Sequence, residues 1–334
     1  MAPTEADRKL APPIIETARV VARESLSGDH CWLRLHSPAV AQRCSPGQFV
    51  HVACESEDSE RRFGLRKNLC WQAGQTRGSD LPSLRILRRP FAVAGIGEGL
   101  GSGSQADTQH LAEHIELLIK VVGPGSAWLA SRRPGSRVNM MGPLGRPFHV
   151  PADAELALLV GGGTGLASLL ALARYLRSLG KAIVAVLGAR SDAAFPLSLR
   201  QPARSGPARP GANGRPPQIE ELEAIGARSF LVSEREDGLL VTQWVEKNLE
   251  QLVQDSARVV CYACGPWGMM QAMDHISRGR FPCQVSLEMR MACGLGVCRS
   301  CVVRVRGQGG RTLVRTVCSD GPVFDAQEVI WEQA

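Results

Sequence analysis

Aromatic residues are scarce, at 5% of 334 positions, with two tyrosines and six tryptophans. A surface for single-stranded nucleic acid needs aromatics interleaved with basic side chains. The net charge of +7 therefore does not by itself indicate a nucleic-acid partner. Many of the arginines also sit in low-complexity stretches such as PLSLRQPARSGPARPGANGRPP at 196–217. Long hydrophobic runs are missing too: the longest, such as Ala157 to Val160, are strand-sized, against the roughly 18 apolar residues of a membrane span. A membrane partner is not expected. The opening MAPTEADRKLAPPIIETARV lacks the basic start, apolar core and small-residue cleavage site of a secretory signal, so a cytoplasmic location is expected. No internal repeat is visible.

What is present is a globular composition: 44% hydrophobic, 21% charged, 35 glycines and 21 prolines. The length suits two or three domains. Eleven cysteines, an odd count without a secretion signal, argue against a disulfide framework and toward metal or redox chemistry.

From about Pro13 to Val150 the chain carries short β-like runs: Ala18 to Ala22, Cys31 to Leu35, Phe49 to Ala53, Phe91 to Ala94 and Ile115 to Val122. Bounded by Gly, Pro and Ser, they predict a small antiparallel barrel. The polar stretch 55–84 and the Gly/Ser-rich stretch 95–109 read as surface loops, as does 196–217. Leu156 to Val160 is an apolar strand, then come five turn residues and an amphipathic helix from about Leu166 to Ser178. Further strands at Ala182 to Leu187 and Val259 to Cys264 complete the pattern of a doubly wound α/β sheet. Cysteine density rises after Phe281, marking a third unit. The expected domains are thus 13–150, 151–280 and 281–334.

The most specific motif is Cys293, Cys298, Cys301 and Cys318, spaced C-x4-C-x2-C with sixteen residues between the third and the fourth. This is the plant-type spacing for a 2Fe–2S cluster. Gly294 and Gly296 suit the tight loop that must gather the first three thiolates. Structural zinc competes, because four cysteines also suit a tetrahedral ion, but such sites usually pair two short knuckles. Here the fourth cysteine stands alone.

Gly161, Gly162, Gly163, Thr164 and Gly165 follow an apolar strand, where glycines let a pyrophosphate approach amides at a helix N-terminus. The stretch is not a strict G-x-G-x-x-G, and a plain strand-to-helix turn fits it as well. Arg190 and Asp192 after the next strand point toward NADPH and NADH respectively, leaving that choice open. Cys264, Gly265 and Pro266 end an apolar strand at the place where such sheets form ligand crevices. A buried cysteine in an ordinary turn is the competing reading there, and with Cys261 the residue also forms a C-x2-C. In Arg88-Arg89-Pro90-Phe91-Ala92-Val93 a guanidinium can pair with a diphosphate beside extended backbone. An edge strand with solvated arginines fits equally. PGQF at 46–49, GPGS at 123–126 and GPLG at 142–145 read as glycine turns.

In their order, PGQF, RRPFAV, VVGPGSAWL, GPLG, GGGTG, CGPWGM and EMRMACGLGVCRSCVV…VCSDGPVF, these segments resemble the ferredoxin-NADP reductase superfamily. The cysteine-bearing tail is similar to the electron-transfer subunits of dihydroorotate dehydrogenase. The resemblance implies a β-barrel FAD domain, an α/β nucleotide domain and a C-terminal 2Fe–2S domain. It implies that Arg89, Pro90, Phe91, Ala92 and Val93 hold FAD and that Gly123, Gly125 and Ser126 reach its diphosphate. Gly161 to Gly165 with Cys264, Gly265 and Pro266 would flank NAD(H), and Cys293, Cys298, Cys301 and Cys318 would ligate the cluster. It further implies electron flow from a separate FMN-containing catalytic subunit, in a heterotetramer, through the cluster and FAD to NAD in pyrimidine biosynthesis. No acid–base pair is required, so no catalytic side chain is expected. The chain departs from the family at Ala92, where Ser or Thr is usual, and in its three inserts. Two alternatives remain at this stage: a flavin and iron–sulfur subunit of another NAD(P)H-linked complex, such as a sulfide dehydrogenase or ferredoxin reductase, and a zinc-stabilised nucleotide-binding regulatory module.

Overall fold

The computed structural model describes residues 12–26, 29–54, 88–97, 112–200, 217–254, 256 and 258–332. Strands β1 (Ile14–Ser25), β2 (His30–His36), β3 (Phe49–Val52), β4 (Arg89–Ile96), β5 (His114–Lys120) and β6 (Arg137–Leu144) close into an antiparallel barrel in the order β1-β2-β5-β4-β3-β6. Alternation drives it: in β2, Cys31, Leu33 and Leu35 are buried and the residues between them are not. They meet Ile115, Leu117 and Ile119 of β5, with Leu33 opposite Leu117. Helix α1 (Pro124–Ala130) closes one end of the barrel by sinking Trp128 and Leu129 into this core.

The barrel matches the sequence expectation in class, and two details differ. GPLG is not simply a turn: Gly142, Pro143 and Leu144 end β6, with Gly142 opposite Ile14 and Leu144 opposite Phe49. Pairing on both sides, set by distant strands, overrides the local turn signal of the Gly-Pro dipeptide. Gly95 and Ile96, expected in a loop, belong to β4 beyond a register shift after Val93. The rest of that insert, 98–109, and all of 55–84 lie outside the described residues.

The chain continues through β7 (Leu156–Gly162), α2 (Leu166–Ser178), β8 (Ala182–Ala189), a two-residue pair β9 (Leu199–Arg200) and β10 (Gln218–Ile219), then β11 (Arg228–Ser233). After α3 (Val241–Val253) come β12 (Val259–Cys264), α4 (Trp267–Ser277), β13 (Cys283–Ser286), the hairpin β14 (Val302–Arg306) and β15 (Thr312–Thr316), and β16 (Val323–Asp325). A six-stranded sheet runs β11-β8-β7-β12-β13-β16, parallel except for β16. Buried on both faces, β7 and β12 are continuously apolar, as parallel strands require. Strand order turns back between β7 and β12, the switch point at which open α/β sheets form a crevice. Of the insert expected at 196–217, the start and end are pinned by β9 pairing with β10, and 201–216 lie outside the described residues.

The cysteine-rich segment is laid onto this sheet at both ends. It leaves from β13, forms the β14–β15 hairpin and returns as β16, antiparallel to β13. The expected boundary at 280/281 therefore precedes a strand of the α/β sheet. Cys301, Val303, Val305, Val317 and Cys318 share one apolar core with Leu156, Val184 and Phe230 of that sheet. Trp331 ties the end of the segment to α4: its indole donates to the buried Asp274 at 3.1 Å, and its carbonyl accepts from Trp267 at 3.0 Å.

Candidate functional site

The four motif cysteines come together around the loop between β13 and β14. Cys298 has Cys293 as a neighbour, and Cys318 has both Cys301 and Cys293 near it. Main-chain amides already point at the sulfurs: Leu295 N–H donates to Cys293 Sγ at 3.3 Å, Cys298 N–H to the same sulfur at 3.4 Å, and Gly296 N–H to Cys318 Sγ at 3.1 Å. Such donors stabilise thiolate charge. Hydrogen bonds from Ser300, then from Cys293, hold the Cys298 thiol down at about 6, whereas burial and its partner Cys301 push Cys318 up to about 12. Among the described residues no three His, Cys, Asp or Glu side chains converge as ligands around one ion. Cys301 and Cys318 are buried, while Cys298 is exposed on a loop that also presents Leu295 and Val297, the latter 80% exposed.

The second site is the crevice at the carboxyl ends of β7 and β12. Gly161 and Gly162 end β7, Gly163 to Gly165 form a single 3-10 turn, and α2 starts at Leu166. Cys264 ends β12, and Pro266 caps α4. These two turns touch through their backbones. A Cβ on Gly165 would lie 2.1 Å from the Cys264 carbonyl oxygen, and one on Gly265 would lie 3.0 Å from the Gly162 carbonyl. Gly161, Gly162, Gly165, Cys264 and Gly265 are buried in this contact, and Gly163, Thr164 and Pro266 are exposed, so a phosphate or a flat ring can approach there. Cys264 is buried, and burial followed by the nearby Glu288 carboxylate pushes its thiol up to about 12. It is a neutral wall at physiological pH. Cys261 and Cys264 are not a redox pair, because they project into the two opposite cores flanking β12 and Cys261 abuts Cys283. Asp192, one of the two candidates for choosing the nicotinamide nucleotide, accepts a hydrogen bond from the Ser233 hydroxyl at 2.5 Å.

The third group lies on the barrel. In β4, Arg89, Pro90, Phe91 and Ala92 stand opposite Val52, His51, Val50 and Phe49 of β3, and Val93 is buried in the barrel core. Arg89 lies over the start of α1, where a Cβ on Gly125 would sit 3.1 Å from its Cγ and 3.6 Å from its Nε. One cation therefore overhangs the glycine turn, as a diphosphate site needs. Ser126 shapes that turn: its hydroxyl accepts from Val122 N–H at 2.9 Å and Gly123 N–H at 3.1 Å and donates to the Gly123 carbonyl at 3.0 Å. The Gly123 and Val122 amides are thereby partly engaged inside the protein.

Two site residues escaped the sequence reading. Glu288 closes the crevice, accepting the Thr164 hydroxyl at 2.8 and 2.9 Å on its two oxygens. Burial raises its pKa while that hydrogen bond opposes the shift. His51, on β3, lies against Gly294 of the cysteine loop. A glutamate just before the cysteine motif and a histidine in a strand carry no local pattern, so only the fold brings them in.

A family model described as the iron-sulfur cluster binding domain of dihydroorotate dehydrogenase B matches residues 288–330. The chain is 32% identical over 322 residues to the dihydroorotate dehydrogenase B (NAD(+)) electron transfer subunit of Geobacillus thermodenitrificans, covering 94% of this chain and 98% of the relative. It is 28% identical over 317 residues to the subunit of the same name from Desulforamulus reducens, with the same coverages. Among solved structures, an NADH-dependent reduced ferredoxin-NADP oxidoreductase superposes with a TM-score of 0.64 at 25% identity, covering 95% of this chain and 91% of the other. The four thiols, the glycine crevice and the barrel turn thus occur in a chain matched along nearly its whole length, and it belongs to the family of dihydroorotate dehydrogenase B electron transfer subunits.

Proposed function

We propose that this chain relays electrons between NAD(H) and a separate FMN-containing catalytic subunit, through FAD and a 2Fe–2S cluster, in a heterotetramer that oxidises dihydroorotate. The observation that carries this is the gathering of four thiols in plant-type spacing under main-chain amides that donate to their sulfurs, which fits a two-iron cluster. Cys293, Cys298, Cys301 and Cys318 would hold the cluster. Arg89 to Val93 would line the FAD face, with Arg89 over Gly123, Gly125 and Ser126 at the diphosphate. Gly161 to Gly165, with Cys264 to Pro266, would flank the nicotinamide nucleotide.

When bound, the flavin supplies hydride exchange with nicotinamide and single-electron exchange with the cluster. The protein's own residues fix where these happen. The backbone contact between the Gly165 and Cys264 turns keeps side chains out of the crevice floor. The buried, neutral Cys264 walls it, and the exposed Glu288 stands at its edge, held by the Thr164 hydroxyl. Leu295 and Val297 make the rim of the cysteine loop apolar, which suits a protein partner receiving or supplying electrons there.

An anaerobic visible spectrum of the purified chain, before and after NADH, with iron and acid-labile sulfide analysis, tests the reading. Flavin bands with iron–sulfur shoulders that bleach on NADH are expected, together with two irons per chain. A colourless, zinc-containing protein refutes it.

A further inference from the structure

His51 is a buried histidine with both ring nitrogens shielded from solvent and no hydrogen-bond partner among the described residues. Buried polar atoms are normally satisfied, so an unpartnered pair needs an explanation. Its place supplies one. In β3 the alternate residues Val50 and Val52 face the barrel core, so His51 projects outward with Phe49, whose ring centroid is 5.7 Å from its own. There it meets the cysteine loop: a Cβ on Gly294 would lie 2.8 Å from Cε1, 2.9 Å from Nδ1 and 3.0 Å from Nε2. Gly294 directly follows Cys293. On the other side His51 pairs in register with Pro90, between Arg89 and Phe91 of the strand assigned to the flavin. The imidazole thus occupies the barrel surface directly facing the cluster loop.

We infer that His51 is a hydrogen-bond donor to the bound iron–sulfur cluster, its unpartnered ring N–H left available beside the cysteine loop, so that a barrel residue tunes the cluster's reduction potential. The chemistry suits the place. A neutral imidazole carries one N–H, and hydrogen bonds to cluster sulfurs stabilise the more negative, reduced state. Burial, with the Arg88 and Arg89 cations nearby, keeps the ring neutral, its pKa lowered to about 4. The loop's own amides at Leu295, Gly296 and Cys298 already donate to Cys293 and Cys318, so a donor from the barrel adds to an existing set.

The inference rests on the cluster assignment above, and the test separates the two. The cofactor-loaded full chain is compared with His51→Phe, which keeps ring bulk without an N–H, and His51→Gln, which restores a donor. Redox titration is followed by EPR for the cluster and by visible absorbance for the flavin. The expected result is a downward shift of the cluster midpoint in His51→Phe, recovery toward the parent in His51→Gln, and an unmoved flavin midpoint. An unmoved cluster midpoint in His51→Phe, or a shift in the flavin alone, overturns the inference. If the variants do not load, pulsed EPR on the reduced parent protein labelled with 15N-histidine decides: coupling to an imidazole nitrogen supports the inference and its absence overturns it. A parent chain that binds no iron at all refutes the cluster assignment instead.

Discussion

Arg174→Ala tests whether a buried ion pair holds the barrel to the α/β domain. Arg174 on α2 donates to Glu116 Oε2 at 2.8 Å, and Arg34 on β2 donates to Glu116 Oε1 at 3.0 Å. Glu116, on β5, is 1% exposed, while Arg174 and Arg34 are 17% and 30% exposed. Removing Arg174 loses a hydrogen bond between charged groups, about 1.5–3 kcal/mol. It also loses a contact over the Trp32 ring at 5.9 Å, about 0.5–1 kcal/mol. Arg34 remains, so the carboxylate is not stranded, and the cost stays at about 2–4 kcal/mol, short of the roughly 5 kcal/mol reached when a buried charge loses every partner. Urea unfolding measures it, with Arg258→Ala as the control. Arg258 pairs with Asp153, but those side chains are 63% and 59% exposed, so that loss is worth at most about 1 kcal/mol and fades with added salt. Because α2 begins at the nucleotide crevice, Arg174→Ala should also slow flavin reduction by NADH. An Arg174→Ala cost no larger than that of Arg258→Ala, or one abolished by salt, would refute the claim that this pair is buried and couples the domains.

Gly165→Ala drives a methyl into the Cys264 carbonyl, so it should cost about 1–3 kcal/mol by overpacking and weaken NADH binding, measured by fluorescence titration. Gly163→Ala has open space but a φ of +59°, so its cost of about 1–2 kcal/mol is backbone strain alone. Glu288 has a raised folded-state pKa, so its contribution to stability is full below the ordinary value of 4.5 and is lost as pH rises through the shifted value. Glu288→Gln should therefore be at least as stable as the parent at neutral pH, with the gap closing on acidification; a gap that widens in acid contradicts the assignment. Cys318→Ser should abolish iron and labile sulfide while leaving the flavin spectrum, whereas Cys44→Ser, in the barrel, should leave metal content unchanged.

The cysteine motif was legible because three of its four members lie within nine residues, in the spacing of a plant-type cluster loop. The helix Leu166–Ser178 and the strand Val259–Cys264 were legible for a similar reason: burial on both faces, or on one helical face, writes a local pattern. Contacts made across the fold were not legible. Glu116 and Arg174 are 58 residues apart, and neither position stands out in the chain. His51 reads as a polar residue in a strand until Gly294 is placed beside it, and Glu288 becomes part of the nucleotide crevice only once Thr164 reaches it. GPLG was read as a turn because proline and glycine are punctuation locally, while its two strand partners come from Ile14 and Phe49.

The turn-like motifs acquire a common meaning once the seam between the barrel and the rest of the chain is traced. Gly145 of GPLG approaches the cysteine segment so closely that a Cβ would sit 2.5 Å from Pro322 and 2.8 Å from the Gly321 carbonyl, just before β16. Gly47 of PGQF does the same against Phe148 and Val323, the first residue of β16. Gly294 of CGLG receives His51 from the opposite direction. All three also have positive φ, +96° at Gly47, +78° at Gly145 and +72° at Gly294, so these glycines supply a left-handed backbone as well as close approach. Because β13 and β16 fix the cysteine loop to the α/β sheet while the seam presses it on β3 and β6, the loop is positioned by both domains together. Electron transfer requires the cluster, the flavin face and the nucleotide crevice to keep their spacing. A side chain at Gly145 would push the loop off the barrel without touching a cluster ligand, so Gly145→Val should slow flavin-to-cluster transfer while leaving flavin reduction by NADH intact. Equal loss of both steps would show that the seam positions the whole chain and not the cluster loop in particular.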